Sequence, residues 1–125
     1  MQIRWKRILV GAVFVTLVPF ALLALVTTVF SPADPTAVAA FAATAGRWAG
    51  PLGGTLVAAI VALVIGRTLA DRRILHGTLI GATAVLFDVG ILALAAQPFD
   101  WLYVVGNVGR LVGGVIGGMV AARAR

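Results

Sequence analysis

The sequence predicts an all-α integral membrane protein, a four-helix bundle with both termini cytoplasmic. Three observations predict it. Of the 125 residues, 62% are hydrophobic and only 11% are charged, where soluble domains run near half apolar and a quarter charged. The apolar residues fall into four runs, each near the roughly 20 residues that cross a hydrocarbon core as helix. The charges gather at the ends of those runs and not along one face, so the net charge of +6 reads as topology. Nucleic acid is therefore not an expected partner; the lipid bilayer is.

The chain reads as a single transmembrane domain, residues 1–125. Arg4, Lys6 and Arg7 precede the first apolar run, residues 8–30. A cleavable signal peptide is the rival reading, but its apolar core spans only about 7–15 residues, and no clear Ala-x-Ala site follows here. The run is expected to stay as a span. Pro19 lies inside it and predicts a kink, because a neighbouring helix can satisfy the carbonyl that a proline frees.

Ser31-Pro32-Ala33-Asp34-Pro35 is a stop and restart. Asp34 suits a helix N-cap, and Pro35 suits the first turn, where no amide partner is needed. Residues 36–45 are small and mildly apolar. The firmer second span is 48–69, with its apolar stretch closed by Arg67, Asp71, Arg72 and Arg73. Pro51 lies one turn inside it. It either kinks one long helix or separates a short outer helix, residues 35–46, from the span; both geometries stay open. The third span, 74–96, has Asp88 as its only formal charge and ends at Gln97-Pro98. The fourth, 101–122, carries Asn107 and Arg110 and ends with Arg123 and Arg125.

Four spans put both termini on one side. With that side cytoplasmic, the inner ends hold Arg4, Lys6, Arg7, Arg67, Arg72, Arg73, Arg123 and Arg125, and the outer ends hold only Arg47. Basic residues accumulate on the cytoplasmic side, so eight against one sets the orientation, in the inner (cytoplasmic) membrane. Trp5 then falls at the inner interface, and Trp48, Trp101 and Tyr103 at the outer one, as aromatic anchors do.

The third and fourth spans carry the polar cluster. Asp88 and Arg110 lie at similar distances from the Gln97-Pro98-Phe99 turn, so two antiparallel helices would hold them at the same depth, with Asn107 one turn from Arg110. A lone charge at bilayer centre is expensive, about 3 kcal/mol on insertion scales. Asp88 is in line with Gly77, Gly81, Ala84 and Ala95, and Arg110 with Gly106, Gly114 and Gly118. Each charge therefore points where another helix can come close, and an Asp88–Arg110 pair is expected. It reads first as a clamp fixing helix pairing and register. The alternative makes Asp88 a carrier of a proton or cation, released from Arg110 in a transport cycle.

Glycines spaced by four mark helix-packing faces: Gly46, Gly50 and Gly54; Gly77 and Gly81; Gly109, Gly113 and Gly117, the last widened by Gly106, Gly114 and Gly118. Lipid tails are as apolar as leucine, so membrane helices associate through the close approach that glycine permits. Packing within the bundle is one use. Self-association is the other, since the fourth span has more glycine than a single neighbour would use. A homo-oligomer or a larger membrane complex is therefore an expected partner.

A faint internal repeat sets Pro35 on Pro98, Gly46-Arg47 on Gly109-Arg110, Gly50 on Gly113, Gly54 on Gly117 and Val57-Ala58-Ala59 on Val120-Ala121-Ala122. Two hairpins of the same orientation would produce it. Coincidence among abundant small residues is the alternative, and Arg47 lies at a different depth from Arg110.

Catalysis and cofactors find no foothold. Cysteine and glutamate are absent, the acids are Asp34, Asp71, Asp88 and Asp100, and His76 is the lone histidine. No metal or haem ligand set follows, and no second acid or serine–base pair accompanies Asp88. No enzyme, cofactor or metal is expected, and His76 is expected near the inner interface with a backbone partner.

Leu75-His76-Gly77-Thr78-Leu79-Ile80-Gly81 after a basic loop, then Gly109-Arg110-Leu111-Val112-Gly113-Gly114-Val115-Ile116-Gly117-Gly118 before a basic tail, loosely resembles a class of small, glycine-rich, four-span bacterial membrane proteins without assigned activity. The resemblance covers about the last two-thirds of the chain and implies the fold, with no functional residues to carry over. His76 followed by Asp88 is also similar to the His…Asp-Tyr of the succinate dehydrogenase membrane anchor, where the histidine binds haem. Here the spacing is one residue longer, Val89 replaces the tyrosine and there are four spans instead of three, so the haem role does not carry over. The small multidrug exporters share the size and plan but depend on a glutamate that this chain lacks. The function expected first is a non-enzymatic membrane protein acting through helix–helix association. The alternative is a small transporter or channel component using the Asp88–Arg110 pair.

Overall fold

A computed structural model describes residues 2–124. Among them are five α-helices and no strand: α1 (Trp5–Phe30), α2 (Pro35–Trp48), α3 (Gly54–Arg67), α4 (Arg73–Leu94) and α5 (Trp101–Arg123), with a π-helical turn at Ala49–Gly53 joining α2 to α3. They make four helical runs long and apolar enough to cross a membrane, α2 and α3 counting as one. The protein is an all-α membrane four-helix bundle.

Helix ends follow the local chemistry. The Asp34 carboxylate accepts from the Thr36 amide at 3.0 Å, and Pro35 opens α2. Asp100 caps α5 in the same way, accepting from the Leu102 amide at 3.0 Å. α4 stops at Leu94, two residues before the expected end. Ala96 there takes φ 48°, while the Ala96 amide donates to Ala93 and the Gln97 amide to Leu92. This is a Schellman closure with alanine where glycine is usual.

The second span resolves the two geometries that Pro51 left open. The helix runs unbroken from Pro35 to Arg67, 33 residues, or about 50 Å at 1.5 Å per residue. No separate outer helix forms. Proline has no amide hydrogen to donate back to the preceding turn, and the chain absorbs the defect as a π turn in place of a break. The run ends two residues short of the expected boundary at 69; Leu69 lies in the following turn and is buried.

α3 and α4 each touch α1, α5 and one another, while α1 and α5 scarcely meet. In section the bundle is a rhombus with α1 and α5 at its far corners. The apolar core is Ile8, Ala12 and Val15 from α1, Ala58 from α3, and Ile80 and Ala84 from α4. On α1 the buried positions are Ile8, Gly11, Ala12, Val15, Thr16 and Pro19, one face at helical spacing. None follows Pro19, and α2 buries none at all. The bundle is therefore tight around the first half of α1 and open around the second.

Arginines close the tight end. Arg73 donates from Nε to the Leu69 carbonyl at 2.9 Å and from Nη1 to the Ala121 carbonyl at 2.7 Å, tying the chain after α3 to the end of α5. Arg7 donates to the Thr68 carbonyl at 3.2 Å and to its hydroxyl. The Ala121 carbonyl lies in the last turn of α5, where helix ends leave acceptors without intrahelical partners, and the Thr68 and Leu69 carbonyls follow α3.

Candidate functional site

Close backbone approach brings the polar cluster together. α5 lies between α3 and α4 with glycine on both faces. A Cβ added at Gly109, Gly113 or Gly117 would strike Thr55, Ala58, Ala59 or Ala62 of α3. One added at Gly114 or Gly118 would strike the backbone of α4 at Gly77, Arg73 or Ile74. From α4, Gly77 faces Gly114 and Gly118, and Gly81 faces the Arg110 carbonyl, 2.7 Å from an ideal Cβ. Two neighbours inside the same chain thus use the glycines of α5. The surplus that suggested self-association is taken up within the bundle.

At this depth Arg110 Nη1 meets Asp88 Oδ2 at 2.8 Å and donates to Asn107 Oδ1 at 2.8 Å. Arg110 is 5% exposed and Asp88 7%. Gly54 of α3 makes room for the guanidinium: a Cβ there would lie 3.0 Å from Arg110 Nε and 3.4 Å from its Cγ. Nε itself is buried without a hydrogen-bond partner. Among the described residues, both acceptors that Arg110 reaches bind Nη1, so the remaining N–H edges carry no protein acceptor.

The pair forms the floor of a cavity of about 420 Å³. Arg47, Gln97, Asp100 and Tyr103 lie toward its α4–α5-turn end. Pro19, Leu23, Ile91 and Leu92 form apolar walls. All four spans contribute. Below the pair, the glycine-packed half of the bundle separates it from the arginine-rich end.

Two of the expected packing glycines are corrected. Gly46 meets only the Leu23 side chain, at 3.5 Å from an ideal Cβ, and Gly50 meets nothing within 4 Å. The π turn puts an extra residue into the helix and rotates these two out of line with Gly54; both line the cavity instead. Conversely, Gly66 packs on Ala121 and Gly11 on Ile65 and Ile80, positions the glycine motifs did not include. A signal for Gly66 was present: Gly54, Ala58, Ala62 and Gly66 recur every four residues, and all are buried. Ala95, expected in line with Asp88, is exposed but lines the cavity mouth. Arg47, which the repeat sets on Arg110, is exposed at the rim.

His76 is 2% exposed, and both ring nitrogens have backbone partners. Nδ1 lies 2.9 Å from the Arg72 carbonyl, and Nε2 accepts the Arg4 amide at 3.2 Å. Both contacts require the neutral tautomer protonated on Nδ1. The histidine ties the chain ahead of α1 to the first turn of α4. Among the described residues no three metal-ligating side chains converge.

Fold and site together define a small four-span membrane protein with a buried ion pair at the floor of a one-sided cavity. No protein-family model, curated protein or solved structure matches the chain.

Proposed function

We propose that this chain is a small transporter or channel component, without enzymatic activity, in which Asp88 and Arg110 receive a small polar solute through the cavity. The observation that carries the proposal is the cavity of about 420 Å³ ending on both members of the pair. Such a volume lies within the roughly 300–1,000 Å³ of small-molecule sites, which join apolar walls to a few convergent polar groups. Intramembrane ionisable residues that line a cavity also mark solute and ion pathways. The charge asymmetry of the span ends supports the inner membrane and a cytoplasmic amino terminus, so the cavity would open outward. Kinship with the glycine-rich four-span bacterial proteins belongs to the same proposal and rests on the Leu75–Gly81 and Gly109–Gly118 stretches.

The test uses the absence of native cysteine. A Leu92→Cys variant places a single thiol in the cavity wall one turn beyond Asp88. A membrane-impermeant maleimide added to intact cells should label it. Proteoliposomes should pass a panel of small solutes above the empty-vesicle rate, and Asp88→Asn should abolish the difference. An unreactive thiol together with no flux contradicts the proposal.

A second reading, a subunit of an oligomer or larger membrane complex, is favoured by one observation. Neither α2 nor α1 beyond Pro19 buries a residue in the bundle, which leaves a hairpin end free to meet another protein. Isolation as a monomer that binds no other protein in mild detergent counts against it.

A further inference from the structure

We infer that the solute received at the cavity floor is a zwitterion with an apolar body, of the kind a neutral apolar amino acid presents; this rests on the reading of the cavity as a binding site. Three observations converge. First, the floor is neutral as it stands: Arg110 and Asp88 balance, and the rim repeats the balance with Arg47 and Asp100. Second, each partner is only partly used. Asp88 engages Arg110 through Oδ2, while Arg110 spends only Nη1, on Asp88 and Asn107, and leaves Nε buried without an acceptor. Nε is sealed against Gly54 of α3, so the donors the floor offers are those of Nη2, which no protein acceptor takes among the described residues, beside a carboxylate with spare acceptor capacity. Third, the walls above it are Pro19, Leu23, Ile91 and Leu92, which suit an apolar side chain.

Charge balance decides between ligand classes. A lone carboxylate would leave two negative charges against one positive in a low-dielectric site, and a lone ammonium the reverse. Either leaves an uncompensated buried charge, which is strongly unfavourable. A zwitterion adds no net charge. Its carboxylate can accept from the Nη2 hydrogens of Arg110 while its ammonium turns to Asp88, so the intramolecular pair becomes two pairs with the ligand.

The experiment follows labelling of the Leu92→Cys thiol in the purified full-length protein. Leucine and phenylalanine are the probes, compared with three near-isosteres of leucine: isocaproate without the ammonium, isoamylamine without the carboxylate and uncharged isocaproamide. The zwitterions should slow labelling about tenfold at about ten times Kd, as the fraction of empty sites falls, and the three isosteres should not. The neutral double variant Asp88→Asn/Arg110→Gln, made in the Leu92→Cys background, should label at the same rate with and without leucine. Protection by any isostere equal to that by leucine overturns the inference. So does a thiol that labels readily and is protected by neither zwitterion, and that outcome leaves the cavity reading standing. A thiol that never labels removes the cavity reading and the inference together.

Discussion

Gly81→Ala should cost about 2 kcal/mol, although it adds one methyl group to a membrane helix. The ideal Cβ at Gly81 lies 2.7 Å from the Arg110 carbonyl oxygen, 3.1 Å from Leu111 Cα and 3.3 Å from the Arg110 carbonyl carbon. All are backbone atoms, and none can rotate away. Ordinary contact begins at 3.4 Å, so α5 must withdraw by about 0.7 Å. A radial gap of about 0.5–1 Å forfeits a quarter to a half of each dispersion contact across the interface, and small-to-large substitutions in packed cores cost about 1–3 kcal/mol. Gly90→Ala on the same helix is the control: nothing lies within 4 Å of its ideal Cβ, and replacing a helix-interior glycine should stabilise by about 0.5–1 kcal/mol. Unfolding by SDS titration from mixed micelles, followed by far-UV circular dichroism, measures both. The two variants should lie about 2–3 kcal/mol apart. If they fall within about 0.5 kcal/mol of each other, near the spread of ordinary surface substitutions, close approach of α4 and α5 at this level is refuted.

The remaining predictions concern helix ends and the histidine tie. Ala96→Gly should stabilise the bundle by about 1 kcal/mol in the same titration, because a left-handed backbone costs an L-residue about 1–2 kcal/mol; destabilisation would contradict the φ of 48°. His76→Phe should cost about 1–3 kcal/mol by stranding the Arg4 amide, and hydrogen exchange at the Arg4 amide should accelerate. At Asp34, hydrogen bonds from the Thr36 hydroxyl and amide hold the carboxyl below its ordinary value of 3.8. A depressed folded-state value means that the cap's contribution is present above 3.8 and is lost as pH falls through the lowered value. Exchange at the Thr36 amide should therefore be flat through neutral pH, after correction for the intrinsic rate, and rise only in strong acid.

Much of the fold was legible because lipid imposes a coarse grammar. Four apolar runs can only be helices when every backbone group must be satisfied internally, and Asp34, Pro35 and Gln97-Pro98 mark helix ends through local chemistry. The meeting of Asp88 and Arg110 was legible for a similar reason: two charges at similar distances from one turn, each in line with glycine, have few other places to go. The course of the chain past Pro51 was not. A missing amide can be absorbed as a kink, a break or a π turn, and the choice depends on neighbours that local sequence does not specify. That choice then turned Gly46 and Gly50 toward the cavity. Nor was the double use of the α5 glycines legible, because Gly113 and Gly114 are adjacent in sequence but face different helices. The cavity itself is a property of four helices together and leaves no periodic signature in any one of them.

The central claim is that Asp88 and Arg110 form one interacting pair within the bundle, and a double-mutant cycle tests it most directly. Asp88→Asn and Arg110→Gln each leave one buried charge uncompensated and should each cost about 3–5 kcal/mol. The double variant removes both charges and should cost no more than either single variant, a coupling of about 3–5 kcal/mol. Asp88→Arg and Arg110→Asp should likewise each impair accumulation in cells, with the double exchange restoring it. Strict additivity, with the double variant as unstable as the sum of the singles, would contradict the account.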